Sequence, residues 1–113
     1  MDRNLQRLVD ALTLERLEEN LFRGAVTDTH VKRVYGGKVL GEAINAAQST
    51  VEKDRTIHSV HCYFLREADS NKPVIYEVDR SRDGGSFSAR RVVAIQYGRP
   101  IFTMESSFHK EES

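Results

Sequence analysis

The 113-residue chain has one cysteine, two prolines and no excess of charge of either sign. Each shortage excludes something. With Cys62 alone, no disulfide can close within the chain. A small secreted scaffold stapled by cystines is therefore ruled out, and a reducing intracellular compartment is the expectation. Lysine and arginine total 17, as do aspartate and glutamate, so the formal net charge is zero. A nucleic-acid binder shows a basic excess and a polybasic membrane anchor shows a local one. Neither is present, so neither nucleic acid nor membrane is expected as a partner. No apolar run approaches the ~18 residues of a membrane span. Asp2, Arg3, Arg7 and Asp10 interrupt the leucines near Met1, which leaves no apolar stretch for a signal peptide. Glu111-Glu112-Ser113 is not the Ser-Lys-Leu peroxisomal address.

What is present reads as one domain, with a core that has little to spare at this length. Leu5, Leu8, Val9 and Leu12 share a face, which predicts a short amphipathic helix over residues 3–12. Residues 14–24 suit either a continued helix or a hairpin turning at Glu19-Asn20, and the reading adopted is a strand over 21–23. Residues 24–33 lack periodicity and read as a loop. A helix is predicted to open at Gly36-Gly37 and run to Gln48. Val39, Leu40, Ala43, Ile44, Ala46 and Ala47 cover most of its circumference, leaving a narrow polar stripe at Lys38, Glu42 and Asn45. A helix so widely apolar should be buried.

Strands follow over 56–65, 74–80, 87–96 and 101–108, each alternating with period two. Breakers separate them: Asp69 to Pro73, Asp83-Gly84-Gly85, and Tyr97-Gly98-Arg99-Pro100. Short links make consecutive strands antiparallel neighbours. The expected fold is therefore α+β: a single hotdog domain over residues 1–113, an antiparallel meander coiled around one central helix.

Several residues are candidates for chemistry. Gly36 and Gly41 have the spacing of P-loop glycines, but Glu42 stands where that motif needs lysine. Gly36 and Gly37 at a helix N-terminus can offer N–H groups to a carbonyl oxygen or a phosphate, with Gly37 as the oxyanion donor. They can equally serve only to let the chain enter a crowded core. His58 and His61, three apart on a strand, point to opposite faces and suit a shared metal poorly. His58 is the catalytic candidate of the two, beside a purely structural reading. Cys62 reads as a small core residue. Arg80, Arg82, Arg90 and Arg91 bracket the Asp83-Gly84-Gly85-Ser86 turn. They form either a receptor for the phosphates of a nucleotide-bearing ligand or a solvated face neutralised by Asp79 and Asp83.

A family resemblance runs from about Leu12 to Phe108. It is carried by Leu21-Phe22-Arg23-Gly24, by Tyr35-Gly36-Gly37-Lys38-Val39-Leu40-Gly41-Glu42-Ala43 and by His58-Ser59-Val60-His61-Cys62-Tyr63-Phe64-Leu65-Arg66. It continues through Lys72-Pro73-Val74-Ile75-Tyr76-Glu77-Val78, Arg82-Asp83-Gly84-Gly85-Ser86-Phe87-Ser88-Ala89-Arg90-Arg91-Val92 and Gln96-Tyr97-Gly98-Arg99-Pro100-Ile101-Phe102. These segments resemble the acyl-CoA thioesterase II family, bacterial and peroxisomal. The resemblance implies a hotdog fold and hydrolysis of fatty acyl-CoA to fatty acid and CoA, with no metal or redox cofactor. The candidate substrate contacts remain Gly36, Gly37, Arg82 and Ser86, and the resemblance transfers a catalytic role to His58 alone. Members carry two hotdog domains and this chain matches the first. The aspartate, serine or threonine, and glutamine that orient the attacking water belong to the second. The chain is thus expected to pair with itself or with a second hotdog domain. It acts as a thioesterase, whole or as a fragment, or as a non-catalytic acyl-CoA-binding or dimerising module. Cytoplasm and peroxisome both remain open.

Overall fold

The computed structural model describes residues 14–24, 32–69 and 71–110. The helix expected over residues 3–12 lies outside them. Strands β1 (Leu14–Glu18) and β2 (Leu21–Gly24) form a hairpin that turns at Glu19-Asn20. Helix α1 (Lys32–Gln48) follows, then β3 (Arg55–Phe64), β4 (Val74–Asp83), β5 (Phe87–Gln96) and β6 (Arg99–Lys110). The six strands make one antiparallel sheet in the order β1-β2-β4-β5-β6-β3. Helix α1 lies on its inner face, so the α+β hotdog expectation holds.

Alternation sets which side chains meet the helix. Val74, Tyr76 and Val78 of β4 are buried, as are Val92 and Ala94 of β5 and Phe102, Met104 and Phe108 of β6. They pack against Val39, Ala43, Ile44, Ala46 and Ala47 of α1. The three alanines are fully buried; their small side chains let the sheet close around the helix. Cys62 packs half-buried against this core, as its sequence context indicates.

The helix differs from expectation in two ways. It begins at Lys32, not Gly36, so Lys32 and Arg33 are not loop. Its presumed polar stripe is also not solvated: Lys38 and Glu42 are buried, with Glu42 only 1% exposed. An i, i+4 ion pair between them, Lys38 Nζ to Glu42 Oε1 at 3.3 Å, makes that burial tolerable.

Strand β3 corrects the meander. It does not neighbour β4; it sits at the far edge, paired with β6. The chain between them, residues 65–73, crosses three strand spacings, roughly 14 Å, along the end of the sheet. Leu65 N–H donates to Ile101 O at 2.8 Å as the crossing starts. Gln96 then holds its middle. Its Oε1 accepts from Asp69 N–H at 2.8 Å, and its Nε2 donates to the carbonyls of Asp69 and Lys72 at 2.9 and 3.1 Å. Gln96→Ala is expected to cost about 1 kcal/mol, because three hydrogen bonds to partly buried backbone groups are lost. Native-state hydrogen exchange should show the Asp69 amide opening first; equal protection in the variant would refute the role.

A β-bulge also shifts the faces of β3. Ile57 pairs with Phe108 and Ser59 with Ser107, leaving His58 as the extra residue. Ile57 therefore turns inward with Val60 and Cys62, although uniform alternation puts it on the opposite side. The β5–β6 turn follows its sequence: Tyr97 and Gly98 take φ of 52° and 71°, the left-handed pair a two-residue hairpin requires.

Candidate active site

The candidate residues fall into two groups at opposite ends of β3. Near its Phe64 end lie Gly36 and Gly37. A helix that starts at Lys32 commits their amides to the carbonyls of Lys32 and Arg33. The N-terminal donor geometry expected of them, Gly37 as oxyanion donor included, is therefore not what the helix presents. Their distinction is instead bare backbone. A Cβ at Gly36 would lie 3.7 Å from the Phe64 ring. That ring, 56% exposed, leans edge-on against Phe102 at 4.9 Å between centroids.

His58 lies at the other end, six residues along, or about 20 Å at the rise of a strand. It is exposed on the bulge. Its ring stands 6.1 Å from that of His109, which in turn stands 4.6 Å from Phe87. His61 is exposed on the outer face opposite Glu105. Beside Phe87 opens a cavity of about 510 Å³ at the β4–β5 turn, and both Arg82 and Ser86 line it. The fold thus brings Arg82 and Ser86 together, leaves His58 outside that lining but linked to its Phe87 through His109, and keeps Gly36 and Gly37 apart.

The basic group splits. Arg82 is exposed at the cavity. Arg90 is only 2% exposed and is neither a phosphate receptor nor part of a solvated face. Its Nε donates to Thr50 Oγ1 at 2.7 Å and its Nη2 to Thr50 O at 2.8 Å and Asp83 Oδ1 at 2.9 Å. Arg55, also buried, donates through Nη1 to Ser88 Oγ at 2.7 Å and through Nη2 to Gly85 O at 3.1 Å. Ser88 passes its proton donation on to Asp83 Oδ1 at 2.8 Å. The Ser88 hydroxyl, followed by the Arg90 guanidinium, holds the Asp83 carboxyl below the usual range. Arg90 therefore ties the turn to Thr50 just after α1, and Arg55 ties it to the start of β3. Sequence reading missed Arg55 and Thr50; a lone arginine opening an otherwise uncharged strand was the available signal.

Glu42 was missed as well. Its Oε1 accepts from Tyr76 Oη at 2.7 Å as well as from Lys38. Burial pushes its carboxyl up, against the opposing pull of Tyr76 and Lys38. The backbone at Gly24 presses on this carboxylate so closely that a Cβ there would overlap it. The group lies on the β2–β4 side of the helix, whereas Gly36 faces Phe64 of β3.

A six-stranded antiparallel sheet curled about one long helix defines a hotdog domain. The family model for the acyl-CoA thioesterase N-terminal domain matches residues 26–109, and the chain belongs to that family. It is 46% identical to human acyl-coenzyme A thioesterase 8 over 101 residues, covering 89% of this chain and 32% of that protein. It is 40% identical to Haemophilus influenzae acyl-CoA thioesterase 2 over 108 residues, covering 96% of this chain and 38% of that protein. The chain thus spans about a third of the length of the curated relatives it matches. The crystal structure of an acyl-CoA thioesterase II from Mycobacterium marinum superposes with a TM-score of 0.85 at 40% identity, covering 96% of this chain and 40% of that one. A hypothetical thioesterase from Streptococcus pneumoniae, solved with coenzyme A, shares the fold alone: TM-score 0.76 at 9% identity, with 98% of this chain and 97% of that one covered. Among the described residues no helix is long and apolar enough to cross a membrane.

Proposed function

We propose that this chain is the N-terminal hotdog half of an acyl-CoA thioesterase, which hydrolyses fatty acyl-CoA to free fatty acid and CoA. Family membership carries the reading. The second half of the active site comes from another hotdog, either a second copy or a following domain, joined along β3.

The edges of the sheet support that choice. Edge strand β1 is short and carries Glu15, Arg16 and Glu18, with Arg23 of β2 paired to Glu15 through Nε at 2.9 Å. Charge of this kind blunts an edge. Edge strand β3 is ten residues long and carries no Asp, Glu, Lys or Arg from Thr56 to Phe64. Tyr63, Phe64 and Leu65 at its end are 70%, 56% and 50% exposed. Two β3 edges paired antiparallel about His61 would set His58 of one opposite Phe64 of the other. The two groups that one domain separates would then meet. His58 would serve the water, and the bare helix at Gly36 and Gly37 would lie along the thioester. Arg82 and Ser86 would take the phosphates. The role belongs to fatty acid metabolism, in cytoplasm or peroxisome.

The test is release of free thiol from long-chain acyl-CoA. The expected result is turnover by the chain joined to its second hotdog, with kcat reduced about 10²-fold or more by His58→Ala. Unchanged turnover in His58→Ala would remove the catalytic assignment. A second reading, an acyl-CoA-binding or dimerising module, is favoured for the chain by itself, because the water-orienting groups implied by the resemblance are on the other domain. Binding without turnover would establish it.

A further inference from the structure

Four ionisable side chains stand in a line across the outer face of the sheet, the face turned away from α1. Asp79 of β4 is in register with Arg91 of β5, Arg91 with Glu105 of β6, and Glu105 with His61 of β3. All four are exposed. Opposite charges set side by side on neighbouring strands ordinarily pair with one another and so stabilise the sheet. Here they do not: none of the four makes a hydrogen bond or ion pair among the described residues.

The rest of this face is poorly suited to water. An antiparallel sheet with one wet face turns its polar residues outward. Ile75, Val93 and Ile95 point outward instead and are half-buried. On the other side of the charged row Ala89 and Ser107 are small and leave room for a second layer.

The order of the charges specifies that layer. Read from β4 to β3 the row runs acid, base, acid, imidazole donor, so it complements itself when reversed. Two identical sheets stacked face to face are related by a two-fold axis along either the strands or the row. An axis along the row sets Arg91 against Arg91 and Glu105 against Glu105, which is repulsive. An axis along the strands, between β5 and β6, reverses the row. Arg91 then meets Glu105 of the second copy, and Asp79 meets its His61, each contact occurring twice. The neighbouring row, from Glu77 through Val93 and Thr103 to Tyr63, reverses equally well. It brings the 70%-exposed Tyr63 to Glu77 of the second copy. Stacked sheets lie about 10 Å apart, a gap that an arginine and a glutamate bridge between them.

We propose that the outer face of the sheet docks a second copy of this chain about a two-fold axis parallel to the strands, with Arg91 and Glu105 exchanged across it. This surface is separate from the β3 edge, so both can be occupied at once, and it does not depend on the acyl-CoA reading.

Sedimentation velocity of the chain at low salt is the test. The expected result is a concentration-dependent doubling of mass, beyond any pairing along β3, that weakens as salt is added. Arg91→Glu and Glu105→Arg each set like charges face to face twice and should weaken the doubling at least about tenfold, with the circular dichroism unchanged. Both substitutions in one chain should restore it. An equimolar mixture of the two single variants should restore it as well, which no effect confined to one chain can do. A wild-type mass that does not double overturns the proposal. So do single variants that double as the wild type does, the outcome that an axis along the row predicts. A double variant that stays as weak as the single ones, or a mixture that behaves as its parts, overturns it equally.

Discussion

Arg90→Leu should destabilise the domain by about 3–5 kcal/mol, a large part of the ~5–15 kcal/mol a domain has. The substitution removes the donors that serve Thr50 O, Thr50 Oγ1 and the Arg82 carbonyl, and leaves Asp83 with Ser88 Oγ alone. Asp83 is half exposed and can turn to water. The acceptors on Thr50, which is 7% exposed, cannot. Their lost partners therefore dominate the cost. Urea unfolding would measure it, and a loss below about 1 kcal/mol would show that the network is dispensable. Arg90→Lys is the informative control. Lysine keeps the charge but has one compact head, which cannot serve Thr50 and Asp83 together. It should recover only about half the loss.

The second large effect reverses sign with a partner. Lys38→Met leaves the Glu42 carboxylate buried without its cation, and about 3 kcal/mol should be lost at pH 7. The double variant Lys38→Met, Glu42→Gln removes both charges and keeps an acceptor for Tyr76 Oη. It should be as stable as the wild type or more so, since buried pairs seldom repay their desolvation. A double-mutant cycle by urea unfolding separates the outcomes; additive losses would refute the coupling.

The pH dependence provides a further check. Burial raises the folded pKa of Glu42 above its ordinary value. The folded state then binds a proton before the unfolded state does as pH falls. Stability from this group is present in acid and is lost as pH rises through the folded value. Asp83 acts oppositely: its pKa is lowered, so its contribution is present above the ordinary value and lost as pH falls through the folded one. Stability should therefore rise on mild acidification and fall on stronger acidification. Lys38→Met should recover most in the first window, and Glu42→Gln should remove that rise.

The sequence and the structure agree where the physics is local. Period-two alternation sets Val74, Tyr76 and Val78 on one face of β4 and Glu77 and Asp79 on the other, and the first three are buried while the last two are exposed. Gly98 and Pro100 marked a tight turn, and glycine accepts the left-handed conformation that Gly98 takes; that Tyr97 takes one too is decided by the hairpin and not by its own preference. The start of α1 was misplaced because two glycines read as a boundary, whereas packing carries the helix straight through them. Of the site, Arg82 and Ser86 were legible as neighbours of one turn. The distance from His58 to Gly36 was not, because it depends on how β3 lies against the helix.

By itself, then, the sequence determined the four long strands, the presence of the central helix and the family resemblance, since periodicity, turn chemistry and motif order all belong to adjacent residues. Tertiary structure alone decided three things. It put β3 at the sheet edge, which no strand's own pattern encodes. It inserted the bulge at His58, which turns Ile57 inward. It buried Arg55, Arg90, Lys38 and Glu42. Charged residues read as solvated until their partners are known, and Arg90 finds Thr50 40 residues away while Arg55 finds Ser88 33 away. A buried charge is a property of a pairing across the fold, and only the folded chain brings those partners together.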